Sequence, residues 1–215
     1  MHLKRQEVPK NWPVYRKGTK YVVRPDFAPQ RGVPFLIVLR DMLKMVQNRK
    51  EAKRAIHLRQ VLMNNKQVSD EKNSVTLFDT ITILPSNKHY RMEMLDGGKF
   101  NLSEIKENEA NHKIAKLTNK KILRGKKVQL NCEGGMNFIS DIKCRIDDSL
   151  LVSLRDKKVE KCISFEEGSK VFVFSGKHSG KSGTVKKIYK EKGTAEIDIE
   201  GKMISVLIKQ FMAIK

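Results

Sequence analysis

Residues 170–189 read K-V-F-V-F-S-G-K-H-S-G-K-S-G-T-V-K-K-I-Y, and they decide the fold of the last part of the chain. Residues 171–174 alternate between valine and phenylalanine, which predicts a strand, and Ser182–Tyr189 contains a second one. Two glycines and three basic residues lie between the two strands. The stretch therefore predicts two strands joined by a glycine-rich, cationic loop.

This loop looks at first like the P-loop of nucleotide-binding enzymes. The P-loop needs a glycine five residues before its Gly-Lys-Ser, so that the backbone can wrap a phosphate. Ser175 occupies that position, and a strand follows where the motif needs a helix, so no NTPase is predicted. We predict instead that the loop binds RNA, because glycines allow close backbone approach and the basic residues donate to phosphate or sugar. The predicted contacts are Gly176, Lys177, His178, Gly180 and Lys181.

Short strands continue to the end of the chain. Residues 195–200 alternate with their acids outward, Gly193 and Gly201 mark turns, and residues 203–208 form a further strand. Short strands with glycine turns at this spacing are typical of a small barrel. We therefore predict a barrel over residues 165–215.

Residues 35–46 carry a helical pattern instead. Their apolar side chains, apart from Ile37, fall within one half of a helical wheel, while Arg40 and Lys44 take the other half. Asn48 followed by Glu51 reads as an N-cap with an acidic residue three positions later, which predicts the start of a second helix.

The second predicted helix has one apolar side and one basic side. The apolar side is formed by Ala52, Ala55, Ile56 and Leu58. The basic side, which includes no acid, is formed by Lys50, Lys53, Arg54 and His57. A charged helical face is often merely solvated, but cations without an acid among them favour phosphate binding.

A hairpin and a strand complete this region. Residues 61–68 are two short strand pieces around Asn64-Asn65, and asparagine tolerates the positive φ of a tight turn. Residues 75–84 are rich in β-branched and apolar residues and end at Pro85. We predict one small domain over residues 35–85, built as helix, basic helix, hairpin and strand.

The middle of the chain, residues 86–164, is mostly strand-like. Gly-Gly turns predict hairpins over residues 91–102 and 128–139. Residues 103–117, with Ser103 as the cap, form the one predicted helix of this region. No catalytic constellation assembles here, so we predict a β-rich central domain without catalytic residues.

Residues 1–34 contain five of the six prolines, with basic residues between them. Proline at this density prevents a helix and cannot sit in a central strand, so we predict a basic arm that is largely disordered free in solution. Two interpretations of its aromatic residues Trp12 and Tyr15 stay open. The arm stacks on unpaired bases while lying in RNA grooves, or Trp12 docks on the protein's own first domain.

The charge is concentrated toward the same end. The chain carries 44 Lys and Arg against 24 Asp and Glu, a formal net charge of +20. Residues 1–60 hold 15 of these cations and 4 of the acids, a net charge of +11. Such an excess predicts a nucleic-acid partner, because each contacted phosphate releases counterions. The predicted RNA-binding residues of this end are Lys4, Arg5, Lys10, Trp12, Arg16, Lys17, Arg40, Lys44, Arg49, Lys50, Lys53, Arg54, His57 and Arg59, followed by Lys66 in the hairpin.

Other partners are disfavoured. The longest apolar run, residues 35–39, is far shorter than the ~20 residues of a bilayer span, and no apolar signal region follows the N-terminus. Cys132, Cys144 and Cys162 form no C-x-x-C pair, and the five histidines show no metal-ligand spacing. We therefore predict small buried thiols in a reducing cytoplasm, and no metal, cofactor, membrane or small-molecule substrate.

Several motifs resemble known families. The glycine-rich stretch resembles the KOW motif of ribosomal and transcription-elongation proteins, which form SH3-like barrels. The two helices and the hairpin of residues 61–68 resemble the αL-type RNA-binding domain, with Asn65 where a glycine usually sits. With H-L-K-R at residues 2–5, P-K-N-W-P at 9–13, V-Q-L-N at 128–131 and F-E-E-G at 165–168, the chain resembles the archaeal and eukaryotic "S-four-e" family of small-subunit ribosomal proteins.

The resemblance implies an α+β fold, mostly β. It divides the chain into a basic arm (residues 1–34), an αL-type RNA-binding domain (35–85), a central β domain (86–164) and a KOW SH3-like barrel (165–215). It further implies a non-enzymatic constituent of the cytoplasmic small ribosomal subunit, bound to small-subunit rRNA and to neighbouring ribosomal proteins.

Two alternatives stay open beside this implication. One is a non-ribosomal KOW-containing RNA-binding factor, and the other is an RNA-modifying enzyme guided by the αL-type unit. A pseudouridine synthase would need a catalytic aspartate in a large domain, for which the 79 residues of the central region are too few.

Overall fold

A computed structural model describes residues 2–214, apart from the side chain of Lys126. The chain divides into two compact units. One comprises the chain up to Met94 together with Lys99–Asn111, and the other comprises Leu95–Gly98 together with the chain from His112 onward. Antiparallel strands dominate both units, so the predicted α+β class with mostly β structure is confirmed.

The first unit contains two strand pairs and a five-stranded sheet. Its strands are β1 Leu3–Lys4, β2 Tyr21–Val22, β3 Gly32–Pro34, β4 Val61–Met63, β5 Lys66–Gln67, β6 Ser74–Thr76, β7 Thr80–Ile83, β8 Lys88–Met94 and β9 Phe100–Ile105. β1 pairs with β2, β3 pairs with β6, and the sheet has the order β5-β4-β7-β8-β9. Because β7 pairs with β8, the domain boundary predicted between residues 85 and 86 falls inside one continuous sheet.

The first helix is shorter than predicted. Helix α1, Phe35–Ile37, continues as a wider π-helical turn over Val38–Met42 and stops there, whereas the pattern predicted a helix to Val46. Lys44 takes a φ of 54°, and a left-handed residue cannot continue a right-handed helix. All of residues 35–39 are buried, so the prediction that Ile37 lies off the apolar side is wrong.

Helix α2, Arg49–His57, begins after Asn48 as predicted. The Asn48 side chain accepts from the Glu51 N–H at 3.0 Å, which satisfies one free donor of the first turn. At the other end the Arg59 N–H donates to Ile56 and the Gln60 N–H to Ala55, the pattern of a Schellman cap. Leu58 was predicted on the apolar side, but as the residue that closes the helix it is 57% exposed.

The tight hairpin between β4 and β5 is confirmed. Asn64 and Asn65 have φ values of 52° and 57°, which a two-residue turn of this hand requires at both positions. The Asn64 side chain donates to Asp79 at 2.7 Å and accepts from the Thr80 N–H at 3.1 Å. Asparagine therefore serves the turn and also fixes the hairpin to the neighbouring strand β7.

The helix predicted over residues 103–117 is wrong. β9 runs to Ile105, α3 is a single turn over Glu107–Ala110, and a long strand, β10, occupies His112–Ile122. In β10 the side chains of Lys113, Ala115 and Leu117 alternate into the interior. Pairing with another strand on each side outweighs the local helical pattern, because burial on a sheet decides strand preference more than propensity does.

The second unit contains two five-stranded antiparallel sheets. Its strands are β10, β11 Val128–Cys132, β12 Asn137–Ile139, β13 Ser149–Ser153, β14 Lys158–Ile163, β15 Lys170–Val173, β16 Ser182–Tyr189, β17 Thr194–Ile199, β18 Lys202–Leu207 and β19 Phe211–Ala213. The orders are β12-β11-β10-β13-β14 and β18-β17-β16-β15-β19. The second sheet contains the strands that the sequence predicted for the barrel.

Each of these sheets has its own core. β15 to β19 contribute side chains to one cluster, in which Ala195, Ile197 and Ile199 alternate inward as predicted. The other cluster lies on the first sheet and includes Cys132 and Cys144, which are free thiols. Burial raises the pKa of the Cys132 thiol to about 11, so it stays protonated and packs as a small hydrophobe.

Candidate nucleic-acid interface

The N-terminal arm folds on its own unit through Trp12. This side chain is 4% exposed, and its indole N–H donates to the Pro29 carbonyl at 2.9 Å. The Asn11 carbonyl accepts from the N–H of Phe100 in β9 at 2.9 Å. Of the two interpretations left open by the sequence, docking of Trp12 on the protein is therefore correct, and its ring is not available to stack on a base.

Arg5 also serves the arm itself. Its guanidinium donates to the carbonyls of Thr19 and Tyr15, each at 2.6 Å, and to the Thr19 hydroxyl at 2.8 Å. These three hydrogen bonds fix the loop of residues 15–19. Arg5 therefore has a structural role, and its phosphate contact stays a prediction.

The loop that Arg5 fixes exposes an aromatic ring next to two cations. Tyr15 is 89% exposed, the most open of the large apolar side chains described, and Arg16 and Lys17 follow it in exposed positions. Lys4 and Lys10 are exposed as well. Tyr15 and Trp12 are near each other in the sequence. Only their burial shows that the ring of Tyr15 is open to RNA and that the ring of Trp12 is not.

The basic side of α2 consists of two stripes. Lys50, Arg54 and His57 are spaced i, i+4 and i+7, which places them in one row along the helix. All three are exposed, and no ion pair found among the described residues involves them. We call this row the outer stripe, and it presents its cations directly to solvent.

The charge of the inner stripe of α2, Arg49 and Lys53, is partly offset by Glu71. Arg49 forms an ion pair with this carboxylate, with its Nε at 2.9 Å, and Lys53 lies 3.8 Å away. Glu71 is only 3% exposed. Burial acts to raise its pKa, but hydrogen bonds with Asp70 and Arg49 and the charge of Arg49 lower the pKa to about 2. The basic side has no acid of its own, as predicted from the sequence, but Glu71 approaches this stripe from outside the helix.

The remaining cations of the first unit differ in availability. Arg40 makes a two-point ion pair with Asp41, its sequence neighbour. Lys44 and Arg59 each follow a helix in a left-handed conformation and are exposed, and Lys66 is exposed on β5. Arg40 is thus partly neutralised, whereas the other three extend the positive surface.

The glycine-rich loop of the second unit is occupied in part by the protein itself. Gly180 has a φ of +94°, and a Cβ there would lie 2.0 Å from the Leu95 carbonyl oxygen. The close backbone approach predicted for RNA is therefore made to residues 95 and 96 of the chain. Gly176 faces the side chain of Gln210 in the same way.

One basic side chain of this loop is bound in an ion pair, and another is exposed to solvent. Lys181 forms an ion pair with Glu200 at 3.2 Å. Lys177 is exposed and His178 is half-buried. β16 begins at Ser182, which confirms that a strand and not a helix follows the loop.

The described part of the chain offers phosphate-binding groups and no cluster for metal chemistry. No group of three or more His, Cys, Asp or Glu side chains lies close enough together to hold a metal ion within residues 2–214. In the same residues no helix has the length and apolarity that a bilayer crossing needs. What the surface does offer is arginine, lysine and exposed tyrosine rings, of which Tyr15 is the most open, and these groups bind phosphates and bases.

Comparisons with known proteins agree on one family. The model of "Ribosomal family S4e" matches residues 86–159, and that of the "RS4NT (NUC023) domain" matches residues 1–29. The small ribosomal subunit protein eS4 of Methanocella arvoryzae is 38% identical over 87% of this chain and 80% of its own length. That of Archaeoglobus fulgidus is 34% identical over 94% of this chain and 86% of its own.

A solved structure has the same fold. The crystal structure of the 30S ribosomal protein S4e from Thermoplasma acidophilum superposes with a TM-score of 0.73 at 29% identity. The match covers 86% of this chain and 95% of that one. The similarity therefore extends over both units and not over a single motif.

Proposed function

Since the chain belongs to the S4e family of small-subunit ribosomal proteins, we propose that it holds rRNA chiefly through the outer stripe of α2 and the exposed cations of the arm. The protein is a structural constituent of the small ribosomal subunit, in the cytoplasm, where rRNA and neighbouring ribosomal proteins are its partners. We propose which residues make the contacts, and we propose that the protein performs no catalytic step.

One observation carries the choice of α2. Lys50 and Arg54 are exposed cations on a helix that is capped at both ends, and His57 continues their row. The folded helix fixes the backbone of this row before binding, so only the side chains must be ordered when they meet phosphates. The inner stripe, whose charge Glu71 offsets, contributes less.

The arm supplies a second kind of contact. Lys4, Lys10, Arg16 and Lys17 are available for phosphates, and Tyr15 offers a ring on which an unpaired base can stack. The glycine-rich loop adds Lys177 and His178. These contacts are shape- and charge-based, as expected of a protein that stabilises folded RNA and performs no chemistry on it.

Sedimentation of cell lysate tests the proposal. At low salt the protein should sediment with small subunits, and rising salt should release it, because phosphate contacts weaken with ionic strength. A protein that remains at the top of the gradient at low salt would contradict the proposal. It would instead favour the alternative of a non-ribosomal KOW-containing factor, which the relatives found do not support.

A further inference from the structure

Strands β10, β11 and β12 place three asparagines in one row. Asn119 lies opposite Asn131, and Asn131 lies opposite Asn137. Directly opposed residues of antiparallel strands point to the same face of a sheet, so the three amides share one face. Lys121 and Gln129, each two positions along its strand, lie on that face as well. We call this surface the amide face.

The amide face points away from the core. Leu130 and Phe138, on the alternate positions of β11 and β12, belong to the hydrophobic cluster on the other side of the sheet. Asn119 and Asn137 are exposed, and Ile139 beside them keeps 63% of its surface open. The face is therefore open to solvent and available to a partner.

The amides present donors more than acceptors. The Asn119 side-chain oxygen accepts from the Lys120 N–H at 2.7 Å, and the Asn131 side-chain oxygen accepts from Gln129 at 2.7 Å. These bonds leave the amide nitrogens of both asparagines for a ligand. With the ammonium of Lys121 on the same face, the surface matches a partner that is rich in acceptors.

Charge favours a polyanion as that partner. Residues 118–140 hold five Lys and Arg against one acid, Glu133. Arg124 and Lys127 are exposed in the turn that joins β10 to β11. An acidic protein surface would also be attracted, but proteins offer fewer regularly spaced acceptors to an amide row than a nucleic-acid backbone does.

We propose that the amide face docks in the minor groove of double-helical RNA. Three strands about 4.8 Å apart make a flat surface roughly 10 Å across, which suits the wide, shallow minor groove of A-form RNA. The amide nitrogens donate to 2′-hydroxyls and base acceptors, and the cations of the turn meet the flanking phosphates. Phe138, the sole aromatic residue of this stretch, faces the core, so unpaired bases find no ring to stack on.

This inference rests on the proposed function, RNA binding. A pair of matched double variants distinguishes failure of the inference from failure of the proposed function. Asn119→Asp with Asn137→Asp keeps the side-chain shape, removes two donors and adds two negative charges. Asn87→Asp with Asn101→Asp makes the same change of charge at exposed positions of the first unit. The full-length proteins are titrated with an RNA duplex of about 16 base pairs and with a DNA duplex of the same sequence.

The amide-face pair should bind the RNA duplex at least about tenfold more weakly than the control pair does, since lost donors cost affinity beyond charge. Its affinity for DNA should equal that of the control pair, because DNA lacks the 2′-hydroxyl. Equal loss by both pairs on RNA, or equal loss on RNA and DNA, would overturn the inference. A parent protein that binds neither duplex would instead overturn the proposed function.

Two further measurements keep the test decisive. If the aspartates disturb folding, Asn119→Ala with Asn137→Ala should still lose about tenfold on RNA, as two missing donors predict. A photoreactive amino acid in place of Asn137, in assembled small subunits, should crosslink to rRNA. A crosslink to a ribosomal protein would show that the amide face is a protein contact and would overturn the inference.

Discussion

Helix α2 and the glycine-rich loop of residues 175–182 carry similar cations in the sequence, but the fold uses them differently. On α2, the outer stripe of Lys50, Arg54 and His57 is exposed along one row of a capped helix. Glu71, which approaches this helix from outside it, pairs with the inner stripe. Lys50 and Arg54 of the outer stripe therefore keep their charge for a ligand.

In the loop, residues of the protein itself contact several of the groups that could otherwise bind a ligand. Lys181 pairs with Glu200, and Gly180 packs against the Leu95 carbonyl. The comparison teaches that a count of cations predicts the kind of partner, whereas backbone packing and distant acids decide which cations can reach it. We therefore expect mutations in the loop to change stability, and mutations on the outer stripe to change RNA binding.

The largest loss of stability is expected for Gly180→Ala. The new Cβ would lie 2.0 Å from the Leu95 oxygen, on a backbone with a φ of +94°. Overpacking and backbone strain together should lower the free energy of unfolding by about 3 kcal/mol, measured by urea denaturation. Gly193→Ala is the control, since its φ is +62° with open space around it, and should cost about 1 kcal/mol. Equal losses would show that the loop is not held at residue 95.

A smaller loss is expected for Glu71→Gln, which removes the acid of the inner stripe. The pKa of Glu71 is lowered from 4.5 to about 2 in the folded protein. Its carboxylate thus stabilises the fold above pH 4.5, and this contribution is lost as the pH falls from 4.5 toward 2. The variant should lose roughly 2 kcal/mol at pH 7 and lack that part of the acid dependence.

Denaturation at several pH values checks this expectation. Glu109→Gln, which removes an exposed carboxylate 3.6 Å from Arg91, is the control and should cost at most about 1 kcal/mol. A Glu71→Gln protein with the parent's pH profile would contradict the pairing of the inner stripe.

The smallest effect, and one of opposite sign, is expected at the end of α2. Arg59 holds a φ of 55° in the helix cap, where glycine is free of steric cost. Arg59→Gly should therefore raise the free energy of unfolding by about 1 kcal/mol, while Arg59→Ala keeps the strained backbone and should not. The thermal midpoints of the two variants report this difference. If alanine stabilises as much as glycine, relief of charge repulsion and not of strain is the cause.

Local chemistry made some of the fold predictable. The Asn48 cap, the Asn64-Asn65 turn and the alternation of residues 195–200 each depend on a few neighbouring residues, and the structure confirms all three. The helix predicted over residues 103–117 failed because pairing of β10 with β11 and β13 decides that segment. A single sequence does not reveal which strands will lie beside it.

The candidate interface, like the fold, was predictable only where neighbouring residues in the sequence decide it. Charge indicated α2 and the arm, but nothing local showed that Glu71 would approach Arg49 from 22 residues away. Nor did the sequence distinguish the buried ring of Trp12 from the open ring of Tyr15. Both distinctions arise from tertiary packing, which joins residues that no short window contains.

The salt dependence of RNA binding tests the central claim most directly. Lys50→Ala with Arg54→Ala should reduce the slope of log affinity against log salt by about 2, since two phosphate contacts are lost. Lys177→Ala with Lys181→Ala removes the same charge from the loop and should reduce the slope by at most about 1, because Lys181 is paired with Glu200. An unchanged slope for the α2 pair, or a larger fall for the loop pair, would contradict the account.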